Sequence, residues 1–214
     1  RRPYHPAYLP FVWRGWMDFG TGGIGDMGIH NAAAALHGLQ LGTPASVEIV
    51  ETSGLKPETY PEWSVLRLKF PARNGQPAVT LHWYDGGKKP SPDLVGAREL
   101  AANGAIVVGE KGTMYSVEWT GAEWSLLPRK KFPHIKPSKA KGGEDYAAHY
   151  AQWIAACKGG TPAYCNFVDF AATITEVMLV GALALRVGQD IQWDAQAMQA
   201  KNCPQAEPFV KRAY

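Results

Sequence analysis

The stretch Asp18-Phe-Gly-Thr-Gly-Gly-Ile-Gly-Asp-Met-Gly-Ile-His-Asn-Ala-Ala-Ala-Ala-Leu-His-Gly38 decides how the chain is read. Its Gly20, Gly22 and Gly25 fit the spacing G-x-G-x-x-G, and a helical pattern follows them. That spacing marks a dinucleotide-binding turn only when a buried parallel strand leads into it. Here the residues before it, Leu9 to Phe19, are broken by Pro10, Arg14, Gly15 and Asp18. Asp26 adds a negative charge where a pyrophosphate would sit at the helix N-terminus. The glycines are therefore expected to let the chain turn sharply and approach a neighbour closely. The helix is expected to run from Gly25 or Asp26 to about His37, with Gly38, Gly42 and Pro44 as stop signals.

That helix carries Asp26 and His30 at i and i+4, which places them on one face, a turn apart. A carboxylate beside an imidazole orients the ring and favours its protonated form. Such a pair suits general base or acid work on a hydroxyl, and it also fits a helix cap beside a packed histidine. His37 lies further along the helix, but no third residue at good spacing completes a metal set, so none is expected.

The rest of the chain follows a different rhythm. Period-two alternation marks strands around Val47–Ile49, Leu66–Phe70, Val79–Tyr84, Ala105–Val108 and Tyr115–Trp119, and Ile191–Asp194 reads as a last short strand. Turn-forming residues at 73–77, 85–92, 109–112 and 120–123 separate them. Short links of this kind imply an antiparallel sheet with one dry face. The other face, with Arg67, Lys69 and His82, is open to solvent or to a second subunit. Two helices close the chain. One spans roughly 144–157, with Glu144 and Asp145 in its first turn and Tyr146, Tyr150, Trp153, Ile154 and Cys157 on one face. The other, about Phe170 to Val187, is apolar on most sides and expected against the dry sheet face. The fold class is α+β: an open, mostly antiparallel sheet with helices packed on one face. Residues 1–214 read as a single domain, with 1–19 an extended lead-in segment.

Composition narrows the function. Of 214 residues, 46% are hydrophobic and 19% charged, as in packed domains, and the net charge of +3 is too small to argue for nucleic acid. The basic tract at 129–143 reads as a Pro-broken solvated loop with thin aromatic interleaving. The longest uncharged apolar run, Val177 to Leu185, is too short to span a bilayer. Cys157, Cys165 and Cys203 match no zinc pattern, and their odd number argues against a disulfide framework, although a Cys157–Cys165 bridge stays open. The chain begins without a Met and is expected to be a piece of something longer, with any export signal upstream.

The stretches 13–48, 151–167, 177–194 and 202–214 resemble the C-terminal domain of the Gfo/Idh/MocA oxidoreductases. The D-x-x-x-H element of Asp26 and His30 after the glycines is the most specific mark. The resemblance implies a dihydrodipicolinate-reductase-like α/β substrate domain whose exposed sheet face builds a homodimer or larger oligomer. It also implies an NAD or NADP cofactor held by a separate Rossmann domain, with none bound to this chain alone, and a sugar, cyclitol or related polyol substrate. On it, His30 handles the substrate hydroxyl proton, Asp26 tunes it, and Arg14, Trp16 and Asn31 contact substrate. The Glu-Lys pair at 110–111 lacks the family's following Pro, so its Lys is not carried over; Ala33 stands where family members often have Asp. A nucleotide-dependent glycosidase on the same scaffold, or a non-catalytic carbohydrate-binding or assembly module, are the alternatives.

Overall fold

A computed structural model describes residues 3–135 and 146–211. In chain order its main elements are α1 (Gly22–Gly38), β1 (Ser46–Thr52), β2 (Ser64–Phe70), β3 (Val79–Tyr84), β4 (Ala105–Gly109), β5 (Gly112–Ser116), β6 (Trp124–Leu127), α2 (Tyr146–Cys157), α3 (Ala172–Val187), β7 (Ile191–Asp194), β8 (Gln199–Ala200) and α4 (Glu207–Val210). The architecture is α+β, and every strand pair is antiparallel among the described residues. The chain forms two compact units. The first comprises Arg1–Ile29, Leu41–Lys89 and Ile174–Tyr214; the second comprises His30–Gln40 and Pro90–Thr173.

The first unit is built on a five-stranded sheet in the order β3-β2-β1-β7-β8. Its register puts Val47 beside Leu68 and Ile191, Leu68 beside Leu81, and Leu66 beside Trp83. That row is the dry face anticipated from the alternation. Val47, Leu66, Leu68 and Ile191 are fully buried there, each contributing about 1.5–3 kcal/mol by leaving water. Helix α3 covers it with nine buried residues between Ile174 and Leu185. The fit leaves no room at Gly181, where a Cβ would press on the Ile24 side chain and lie 3.5 Å from Leu66 Cδ1. The helical span Phe167–Val187, 21 residues with a mean hydropathy of 1.8, is long and apolar enough to cross a membrane. Reading only its uncharged run underestimated it, because the helix also passes through Asp169, Glu176 and Arg186. Two of those polar groups have work inside the first unit: Glu176 accepts from Trp193 Nε1 at 2.7 Å, and Arg186 donates to the Met17 carbonyl at 2.7 Å.

The opposite sheet face is polar. Glu48, Arg67 and His82 form one cross-strand row. Glu48 pairs with Lys69 and with Arg67 Nη1 at 2.8 Å. Lys69 first, and Arg67 with it, hold its carboxyl below the ordinary range against the opposing effect of desolvation. His82 is also lowered, which for a base favours the neutral form: desolvation comes first, then the Arg67 charge.

The second unit holds a separate three-stranded sheet, β4-β5-β6. A single continuous sheet is therefore not what forms. Alternation identifies a strand but not its partner. The Glu110-Lys111 link closes β4 onto β5 at small entropic cost, so the pairing stays local. The strand expected at Tyr115–Trp119 ends at Ser116. There the Glu118 carboxylate accepts from the Thr120 and Glu123 amides, at 2.6 and 3.1 Å, and turns the chain. Strand β8, with two residues, is too short to register as alternation, and β6, Trp-Ser-Leu-Leu, does not alternate through its last two residues.

Helix α2 ends where Gly159 takes a positive φ of 80°, as its two glycines imply. Gln152 points toward the following loop and accepts from the Tyr164 amide at 3.3 Å. The apolar stripe lies on the other side of the helix, and Tyr150 and Trp153 stay 57% and 62% exposed. Glu144, Asp145 and most of the basic tract lie outside the described residues, as do Arg1, Arg2 and residues 212–214.

Candidate functional site

The lead-in segment forms two short turns, Pro6–Tyr8 and Trp13–Gly15, rather than an extended run. Pro6 suits the first position of a turn, and His5 Nδ1 accepts from the Ala7 amide at 3.1 Å. The segment then joins the sheet side of its unit through Met17 N to Glu58 O and Tyr60 N to Gly15 O, each 2.9 Å. No strand leads into the glycines.

The glycines are explained by what stands beside them. A Cβ on Gly20 would lie 2.6 Å from the Arg14 carbonyl oxygen and 2.8 Å from its carbon. Gly22 has φ +68° and meets the Tyr60 ring, with Cγ 2.7 Å from where a Cβ would be. A Cβ on Gly25 would collide with the Thr21 side chain. Gly23 faces Asp85 Oδ2 at 2.9 Å from its own missing Cβ. That carboxylate is firmly placed: Oδ1 accepts from Ser64 Oγ at 3.0 Å and Oδ2 from Trp83 Nε1 at 2.9 Å. The first turn of α1 thus meets an anion belonging to the protein, where the helix dipole favours one. A pyrophosphate there would face Asp85, with Asp26 one turn on. These residues do not fit a dinucleotide. The helix also starts at Gly22, three residues earlier than its sequence pattern suggests, because the glycines are part of its first turn.

Downstream, Asp26 Oδ2 lies 2.7 Å from Arg14 Nη1, with the two side chains 36% and 33% exposed. Oδ2 itself is buried and makes no well-aligned hydrogen bond, so the contact is chiefly electrostatic. The Arg14 guanidinium also lies over the Phe11 ring, 4.1 Å from its centroid. Phe11 holds a φ of 76° to be there, a conformation rare for an aromatic residue. Nothing in the sequence pattern pointed to it. Arg14 and Asp26, proposed separately from the sequence, are brought together. Trp16 is engaged by the protein instead: its Nε1 donates to the Ala7 carbonyl at 2.9 Å, and Tyr8 packs edge-on at 4.9 Å.

In the second unit, His30 is exposed on α1. Its ring stands edge-on to Trp119, with centroids 5.0 Å apart and planes at 85°. One turn further along the same helix face, Ala34 lies 3.8 Å from the position of a Cβ on Gly121. The loop after β5 therefore runs along the His30–Ala34 face. Its shape is set by Glu118, whose pKa falls to about 2 from 4.5, chiefly through the Thr120 side-chain hydrogen bond. Desolvation opposes that shift, and the backbone amides of Glu123, Thr120 and Ala122 reinforce it. A carboxyl group whose folded pKa is depressed stabilises the fold above its unfolded pKa. The loop's order should thus be complete above about pH 4.5 and be lost as pH falls toward about 2. Lower protection factors at Thr120 and Glu123 on acidification, with the intrinsic pH dependence of exchange divided out, are the measurement that checks it.

Asn31 follows His30, but its Oδ1 is buried without a hydrogen bond, so that oxygen does not line an open surface. An unpaired buried carbonyl costs about 1–3 kcal/mol. Asparagine is also a poorer helix former than alanine. Asn31→Ala is expected to stabilise the chain by about 1 kcal/mol, read as a raised denaturation midpoint. His37 packs between Tyr164 and Phe170, at 4.8 and 5.1 Å. No group of three potential metal ligands occurs among the described residues. All three cysteines are free thiols, with Cys157 and Cys165 exposed and Cys203 buried.

No protein-family model matches the chain, and no curated protein matches it.

Proposed function

We propose that the chain is the substrate-binding and oligomerisation domain of an NAD(P)-dependent oxidoreductase of the Gfo/Idh/MocA type, acting on a sugar, cyclitol or related polyol. The reading is carried by one arrangement. Helix α1, opened by close-packed glycines, carries Asp26 and His30 four residues apart in sequence, with His30 exposed. The antiparallel sheet covered by α3, with a polar opposite face, is compatible with the open-sheet substrate domain of that family and with pairing of two copies through the polar face.

In this reading His30 accepts the proton of a substrate hydroxyl at a ring nitrogen. Asp26 shapes the electrostatics of that helix face, and Arg14 fixes Asp26 Oδ2. A nicotinamide, which takes up hydride, belongs to another domain; no cofactor contact is assigned to the residues described. The experiment is the His30→Ala and Asp26→Ala variants of the enzyme containing this domain, assayed for reduced nucleotide formed from polyols. Unchanged activity in both would leave a non-catalytic carbohydrate-binding or assembly module.

A further inference from the structure

We infer that Trp119 is the wall against which a ring-shaped polyol lies beside His30, and that the Glu118-braced loop sets it there. The inference rests on the reading of His30 as the proton acceptor. Trp119 is 46% exposed although its loop is tied down at both ends. Its ring meets His30, and two residues on Gly121 runs close enough to α1 that a Cβ there would lie 3.8 Å from Ala34.

The stance of the rings makes the chemistry specific. The indole is perpendicular to the imidazole, so the two present different surfaces to one visitor. An indole offers a flat apolar face on a large side chain. A pyranose or cyclitol has a matching face of C–H groups and a rim of hydroxyls. With the C–H face on Trp119, a rim hydroxyl is brought to the His30 side. An open-chain polyol has no such flat face and loses rotational freedom on binding. Trp16 does not compete for this role, since it lies in the other unit and its N–H already donates to the Ala7 carbonyl. Glu118 is a positioning residue: its carboxylate touches only its own loop.

The test is calorimetric titration of the 214-residue chain with myo-inositol, D-glucose and D-sorbitol, with circular dichroism as the folding control. A cyclic polyol should bind, and sorbitol at least about tenfold more weakly. Trp119→Ala should weaken cyclic-polyol binding by about tenfold or more, and Trp119→Phe by no more than about threefold. Glu118→Ala should weaken it by a few-fold while speeding amide exchange at Thr120 and Glu123. If a cyclic polyol binds and His30→Ala weakens it while Trp119→Ala does not, the inference falls and the His30 reading stands. If none of the three binds, both fall.

Discussion

Gly20→Ala is expected to lower the stability of the chain by about 3 kcal/mol, the upper end for forcing atoms into a packed site. The methyl group would sit 2.6 Å from the Arg14 carbonyl oxygen, and backbone cannot step aside as a rotamer does. Relief requires moving the turn that carries Arg14, and with it the ion pair to Asp26. For a chain of this size the shift corresponds to roughly 6–12 °C in the melting temperature. Gly38→Ala is the matched comparison. No atom lies within 4 Å of a Cβ there, so that variant should be neutral or stabilised by up to about 1 kcal/mol. Equal melting temperatures for the two variants would contradict the close-packed account of the turn.

The second large effect concerns activity. On the proposed reading, His30→Ala in an oxidoreductase containing this domain should reduce kcat/KM by about 10²- to 10⁴-fold, the usual contribution of a positioned general base. Stability should change little, because the ring is exposed and its described ring contact is with Trp119. On the same reading, Asp26→Ala should cost less activity than His30→Ala, since its Oδ2 is turned to Arg14. The pair of measurements separates the roles: a base lost on one side, a tuned field on the other. Nucleotide reduction at the wild-type rate by His30→Ala would remove this residue from the chemistry.

The helix that bears Asp26 and His30 was legible because helix spacing is a strong local signal. The strands around Val47, Leu68 and Leu81 were legible for the same reason: alternation reports which face is dry. What alternation does not report is partnership. Nothing in residues 105–119 states that β4 and β5 pair with each other and leave the larger sheet. The early end of β5 depends on a carboxylate, Glu118, capturing two amides that follow it in the loop. The pairing of Arg14 with Asp26 spans twelve residues and a turn, so neither position advertises the other. Trp119 read as one more strand residue because its alternation with Val117 and Tyr115 was intact. That the Trp16 N–H is bonded to the Ala7 carbonyl was likewise not legible, because the sequence shows a ring but not what its N–H binds.

The glycine turn has one consequence of its own. Its hollows are filled by Arg14, Tyr60, Asp85 and Thr21 of the same chain, so its shape is complete before any guest arrives. A phosphate loop spends part of its ligand's affinity on becoming ordered; this bend has no such debt. The bend is thus set by atoms of its own unit alone.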